Sequence, residues 1–362
     1  VSIKPLKPFF KYSGGKRKEI PTVEKLKPKS FNTFYEPFVG AGAIWLHLAH
    51  HTNVVNDNYE DVISFYHVMK NDTIRLVKEI NRLSANYNKE MASVKRDAKA
   101  EQRLTKQQLK LSKLHSSNHS TVKAALKILQ GIKKDSEETL IASCKEDTLN
   151  DAISKLSSRC NEINDQKIIV KDLKDQVNKE INDIADRYFY YYRDTDFTSD
   201  FDKAVSFYLM RQLSFSGMLR FSNEGKFNVP YGWYKSFKGI DQSVSDIQAI
   251  LNNSIITHGD WKYSVQNATK DDFVFLDPPY TRQFTDYHPA GQFREQDHRE
   301  LAEWFRNTKS KVMIIINRDE LTEELYDDYI VADYNYRYSI QYRDRMTHKD
   351  SNANHFVATN NY

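Results

Sequence analysis

A strand, a Gly-x-Gly turn and a helix follow one another within residues 33–48, and that succession restricts the fold more than any other stretch of the chain. Thr33-Phe34-Tyr35-Glu36 is rich in β-formers, Pro37-Phe38-Val39-Gly40-Ala41-Gly42 forms the turn, and Ala43 to Leu48 is an apolar helical run. Glycine lets backbone approach a bound molecule at a helix N-terminus, so this is the opening unit of a nucleotide-binding α/β fold. The third glycine of the dinucleotide fingerprint is absent, which disfavours a pyrophosphate cofactor. Val54-Val55-Asn56 reads as the next strand and ends in Asp57. An acid there, about 20 residues beyond the turn, is placed to accept both hydroxyls of an adenosine ribose. Read alone, Asp57 serves equally as a cap for a helix over residues 58–68.

Four further strands are expected. Ser254-Ile255-Ile256-Thr257, Phe273-Val274-Phe275-Leu276, residues 311–316 and His355-Phe356-Val357-Ala358-Thr359 are short apolar runs separated by helical stretches, which implies a mostly parallel sheet covered on both faces. The second of these runs into Asp277-Pro278-Pro279-Tyr280. Pro278 must stop the strand because proline cannot donate to a ladder. Asp277 therefore stands at a strand's C-terminal end, where open α/β sheets place their ligands.

Composition changes abruptly over residues 84–187, which hold no proline, tryptophan or phenylalanine, a single glycine (Gly131) and a single tyrosine (Tyr87). Such a stretch reads as a helical insertion. Leu156, Ile163, Val170, Val177 and Ile184 recur every seven residues, so a coiled-coil helix is expected over residues 147–187. Residues 84–134 carry a formal charge of +9 and residues 135–187 one of −5. Two arms of an antiparallel hairpin would pair through these charges, and the basic surplus would also suit DNA phosphates. The same insertion holds both cysteines, Cys144 and Cys160, read here as reduced apolar residues. No apolar window is long enough to span a bilayer and no leader is visible, so a cytoplasmic protein is expected.

Arg220-Phe221-Ser222-Asn223-Glu224-Gly225-Lys226-Phe227-Asn228-Val229-Pro230-Tyr231-Gly232 reads as a hairpin with Asn-Glu-Gly at its tip. Its interleaved aromatics and cations suit nucleic acid, and suit packing of a small subdomain equally well. Arg337, Arg343, Arg345 and Lys349 lie in a polar stretch without periodicity, read as a basic loop that either tracks phosphates or is merely solvated.

Taken together, Lys11-Tyr12-Ser13-Gly14-Gly15-Lys16, Glu36-Pro37-Phe38-Val39-Gly40-Ala41-Gly42, Asn56-Asp57, the 225–232 segment and Asp277-Pro278-Pro279-Tyr280 stand in the order of the Dam-like N6-adenine DNA methyltransferases, which the chain resembles over residues 1–83 and 188–362. The resemblance implies an α/β fold: a Rossmann-like doubly wound sheet with a small helical and hairpin target-recognition domain, interrupted by an antiparallel coiled-coil hairpin. Domains are expected at 1–83 with 251–362 (catalytic), 84–187 (insertion) and 188–250 (recognition). The implied methyl donor is S-adenosyl-L-methionine, contacted by Tyr12, Lys16, Phe38, Gly40, Gly42, Asp57 and Asp277. Tyr12 stands where the family commonly has tryptophan. Asp277, Pro278, Pro279 and Tyr280 would be catalytic, with no metal required. Double-stranded DNA is the implied partner, met by Arg220, Phe221 as a wedge, Asn223, Glu224, Lys226 and Asn228, and by Arg337, Arg343 and Arg345. GATC-specific members tend to carry a basic hairpin tip, whereas this one has Glu224, which would accept from a cytosine amino group rather than contact guanine. The tetrapeptide alone also fits cytosine N4 or RNA adenine, and a scaffold built on the insertion, dimeric or bound to another protein, is a third expectation.

Overall fold

The computed structural model describes residues 3–12, 14–114, 166–222, 224–280, 293–337 and 352–362. The chain divides into two compact units, residues 1–86 with 187–362, and residues 87–186. The first is built on a seven-stranded mixed sheet. Its strands are β1 (Phe34–Glu36), β2 (Asn53–Asp57), β3 (Ser254–His258), β4 (Phe273–Leu276), β5 (Lys311–Asn317), β6 (Ile330–Arg337) and β7 (Asn352–Asn360), in the spatial order β3-β2-β1-β4-β5-β7-β6. Strands β3 to β5 in that order are all parallel, with Phe34 opposite Phe273 where β1 meets β4, whereas β7 runs antiparallel to both of its neighbours.

The strand order turns back between β1 and β4. From β1 the chain moves outward through β2 to β3, then crosses to β4 and β5 on the other side. At such a switch point the loops leaving the two central strands diverge to opposite faces and open a crevice.

All four residues of β4 are fully buried, as are Val312, Met313, Ile314, Ile315 and Ile316 of β5, which is why these strands read as unbroken apolar runs rather than alternations. The helix Glu295–Asn307 covers one face. It buries His298, Leu301, Ala302 and Phe305, spaced at one helical stripe, against Val274, Leu276, Ile314 and Phe356. Elsewhere in the unit Phe65 of the helix Glu60–Asn71 packs against Phe207 and Tyr208 of the helix Asp200–Leu213, at ring separations of 5.8 and 6.2 Å.

One expectation needs correcting. Arg337, read as part of a basic loop, instead ends the strand β6 (Ile330–Arg337). The strand lies at the sheet's edge, where half-buried Ile330, Ala332 and Tyr334 alternate with exposed Val331, Asp333 and Asn335. Arg343, Arg345 and Lys349 lie outside the described residues.

Within the second unit the described elements are helical, supplied by Thr73–Leu114, which begins in the first unit, and Gln166–Ala185. Of the seven-residue repeat, Val170, Val177 and Ile184 fall in the latter helix, and Ile184 is buried. Leu156, Ile163, Cys144, Cys160 and the hairpin's turn lie outside the described residues. No helix among the described residues is long and apolar enough to cross a membrane.

Candidate active site

The turn after β1 needs glycine twice over. Gly40 and Gly42 take φ of +46° and +66°, a region other residues rarely adopt, and Gly42 caps the helix Ala43–Leu48. A Cβ on Gly40 would sit 3.0 Å from the Tyr12 ring, and one on Gly42 would sit 2.9 Å from the Trp45 ring. Tyr12 thus lies against the glycine turn.

Asp57, at the end of β2, reaches back to this turn. One carboxylate oxygen accepts the Gly40 N–H at 2.8 Å and the other accepts the Tyr59 N–H at 2.9 Å. The following helix starts at Glu60 with Tyr59 as its N-cap, so Asp57 fixes the approach to the helix rather than capping it. The Asn58 N–H adds a third such bond, and a carboxylate with about four lone-pair sites keeps one for a ligand. Burial pushes the Asp57 carboxyl above its ordinary pKa, opposed by those N–H bonds.

Asp277 stands just past β4 on the neighbouring side of the switch point. Lys16, only 4% exposed, places its ammonium 2.5 Å from Asp277 Oδ1, donates to the Tyr280 hydroxyl at 2.7 Å and to the Gly14 carbonyl at 3.2 Å. Burial raises the Asp277 carboxyl to about 6, with the Lys16 charge and hydrogen bond opposing it. Tyr280 is itself buried, with its ring edge-on to His355 at 5.4 Å and Lys16 Nζ 4.9 Å from its ring centre. Pro278 is buried and Pro279 exposed. Phe38 is half-buried between Phe293, at 5.6 Å, and Trp261, at 6.4 Å.

A third carboxylate belongs to this group. Glu36, 3% exposed at the end of β1, accepts the Trp45 N–H at 2.8 Å, and burial raises its pKa well above the ordinary value, with Asp277 and Asp57 adding to the rise and Lys16 opposing it. The ends of β1, β2 and β4 therefore converge three acidic groups on one crevice. Behind Lys16 lies a further set that sequence reasoning missed: Glu19, 1% exposed, accepts from the Tyr334 hydroxyl and from His355 Nδ1, both at 2.8 Å. Glu19 is three residues from Lys16, a spacing that could have drawn attention to it, but its partners come from β6 and β7, more than 300 positions away, and nothing local announces them.

In the 211–234 segment the backbone closes as a hairpin. The Ser222 N–H donates to Lys226 O at 2.8 Å, the Asn228 N–H to Arg220 O at 3.0 Å, and the Phe215 N–H to Pro230 O at 2.9 Å. Arg220 is exposed but engaged, with its guanidinium donating to Asn228 Oδ1 at 2.7 Å and to Asn228 O at 2.9 Å. Glu224, Lys226 and Asn228 are exposed, and Asn223 lies outside the described residues. Phe221 is placed differently from the expected wedge. It is 6% exposed, its ring meeting Tyr59 at 6.0 Å and Phe227 at 5.7 Å, and the exposed large aromatics here are Phe215 and Trp233, at 52% and 56%. Tyr59 covers Phe221 from a helix remote in sequence, so the hairpin alone could not reveal it. Arg211, fully buried, was also missed within its amphipathic helix; it donates to the carbonyls of Lys11, Met218 and Gly217, and burial lowers its pKa to about 10.

Comparison with known proteins agrees with this arrangement. Residues 12–129 and 138–346 match the family described as D12 class N6 adenine-specific DNA methyltransferase. The chain is 34% identical over 160 residues to the Type II methyltransferase M.CviBI of Paramecium bursaria Chlorella virus NC1A, covering 44% of this chain and 61% of that protein. It is 25% identical over 335 residues to the Type II methyltransferase M1.LlaDCHI of Lactococcus lactis subsp. cremoris, covering 90% and 86%. With a DNA adenine methylase of Haemophilus influenzae it shares 25% identity over 150 residues, covering 38% and 52%.

Proposed function

The chain belongs to the D12 class of N6 adenine-specific DNA methyltransferases, and from that premise we propose that it transfers a methyl group from S-adenosyl-L-methionine to the N6 amino group of adenine in double-stranded DNA. The observation that carries this reading is the convergence of the Gly40 turn, Asp57 and the Lys16–Asp277 pair at the switch point of the sheet. These residues fit the donor. The glycine turn has no room for a Cβ, Asp57 retains an acceptor site for a ribose hydroxyl, and three carboxylates favour a ligand that carries positive charge. When bound, the donor supplies an electrophilic methyl group on a sulfonium.

The remaining work falls to the chain. The lone pair of an adenine amino nitrogen is delocalised into the ring, so the nitrogen attacks poorly. Asp277 Oδ1 is engaged by Lys16, which leaves Oδ2 to accept a hydrogen bond from the amino group, with the Pro278 carbonyl as second acceptor. Two oriented acceptors draw the nitrogen toward a tetrahedral form, and preorganised groups of this kind contribute most of an acceleration. As the N–C bond forms, the nitrogen sheds one proton, and Asp277 is the base beside it. The target nucleotide must leave the duplex to arrive here, and the 188–250 segment is read as the part that grips DNA while it does so. A wedge at Phe221 requires its ring to leave Tyr59, whereas Phe215 and Trp233 are already exposed.

Sequencing with modification detection of DNA from cells expressing the protein tests the function directly. N6-methyladenine at a fixed site is expected, falling on the order of 10²–10³-fold with Asp277→Ala. Absence of the mark from wild type that binds the donor would refute the reading, and methylcytosine in its place would transfer it to cytosine N4.

A further inference from the structure

Lys16 has three N–H bonds to give, and all three are used, on Asp277, Tyr280 and Gly14. Glu19 Oε2 lies 3.9 Å from the same ammonium, too far for a hydrogen bond, and it has no other hydrogen-bond partner among the described residues. It is held there because its sister oxygen is fixed by both Tyr334 and His355. A buried carboxylate oxygen left without a donor is costly, and a neutral residue would avoid that cost. The arrangement acts on Lys16 through charge alone.

We propose that Glu19, anchored by Tyr334 and His355, is a positioning residue for methyl transfer: it shares the positive charge of Lys16 with Asp277, so that Asp277 remains a strong acceptor for the target amino group. An ammonium given wholly to Asp277 would drain that carboxylate of basicity. One divided between two carboxylates orients Asp277 through Oδ1 and leaves Oδ2 electron-rich. The groups facing this centre are Lys16 and Glu19 from the first helical turn, Tyr12 from the segment before it, Glu36 from β1, Asp57 from β2, Asp277 and Tyr280 after β4, Tyr334 from β6 and His355 from β7. Glu19 adds to the rise of the Asp277 carboxyl and Lys16 opposes it, which agrees with the geometry.

This inference rests on Asp277 being the acceptor described above. Its test is Glu19→Gln, because glutamine retains an acceptor for Tyr334 and His355 and removes only the charge. In ligand-free protein the Asp277 carboxyl can be followed by carbon NMR, its signal identified by loss in Asp277→Asn. Glu19→Gln is expected to move that titration down by on the order of half to one pH unit. It should also lower kcat by up to about 3- to 10-fold, with KM for donor and DNA held within about twofold. If Glu19→Gln does not fold, Glu19→Asp, which keeps the charge but draws it back from Lys16, is expected to show the same shift at smaller amplitude. A purely structural Glu19 would leave the titration in place, or place the loss in KM, and either result overturns the proposal. Wild type without methyl transfer refutes the function itself, whereas active wild type with an unmoved titration refutes only the role of Glu19.

Discussion

Methyl transfer should fall with acidification around pH 6 rather than pH 4, because the Asp277 carboxyl is raised from 3.8 to about 6. With that value the carboxylate is about nine-tenths ionised at pH 7 and about one-tenth at pH 5, so the rate of the chemical step drops roughly tenfold between them. Single-turnover transfer of a labelled methyl group to a preformed enzyme–duplex complex, measured from pH 5 to pH 8.5, isolates that step. The same group leaves a mark on stability. Between about pH 4 and pH 6 the folded protein retains a proton that the unfolded chain has lost, so the contribution of Asp277 to stability falls as pH rises through that window. The side chain is 20% exposed, which moderates the effect to on the order of 1–3 kcal/mol. Asp277→Asn keeps an oxygen that accepts from Lys16 and removes the titration. The difference in Tm between variant and wild type should therefore move in the variant's favour from pH 4 to pH 7. A rate that holds level down to pH 5, together with a Tm difference that ignores pH, would refute the reasoning.

Gly40→Ala places a Cβ 3.0 Å from Tyr12 at φ +46°, so thermal unfolding should show a loss on the order of 1–2 kcal/mol from backbone strain; an unchanged Tm would mean the turn does not require glycine. Arg211→Met strands the carbonyls of Lys11, Gly217 and Met218 but relieves a buried charge, and a net loss of about 2–4 kcal/mol should appear in thermal unfolding. Arg220→Ala removes exposed bonds to Asn228 and should cost no more than about 1 kcal/mol of stability while weakening duplex binding; a large Tm loss with unaltered binding would make Arg220 structural.

What could be read from the sequence was whatever local pattern determines. The four-residue run before Asp277 had to be a buried strand because it is apolar on both faces and ends in two prolines, and the crevice position of Asp277 followed from that. The glycines before Ala43 carried their own reason, since only they tolerate the turn's φ values beside Tyr12 and Trp45. In β6 the signal was present but not used: Ala332, Tyr334 and Tyr336 alternate with Asp333, Asn335 and Arg337, as a strand with one face covered requires. Local pattern failed for partners assembled from distant segments. Nothing near Phe221 says that Tyr59 covers it, and nothing near Glu19 says that Tyr334 and His355 hold one of its oxygens while the other faces Lys16. Arg211 was invisible for a different reason. Its partners are backbone carbonyls, which carry no residue identity at all.

Those carbonyls join parts of the molecule that composition treats separately. The Lys11 carbonyl accepts from Arg211 at 2.9 Å while the Lys11 ammonium donates to Gln212 O at 3.1 Å, so the chain entering the site is tied at both ends of one residue to the helix that leads into the hairpin. The next residue, Tyr12, lies under the glycine turn, and Lys16 reaches Asp277 four positions later. Six residues thus join the helix that leads into the hairpin to the carboxylate after β4. Were the hairpin to move away from Lys11, the Arg211 guanidinium, which has no exposed surface, would lose one of its three carbonyl partners, at a cost on the order of 1–3 kcal/mol. The cheaper motion carries Lys11 with it.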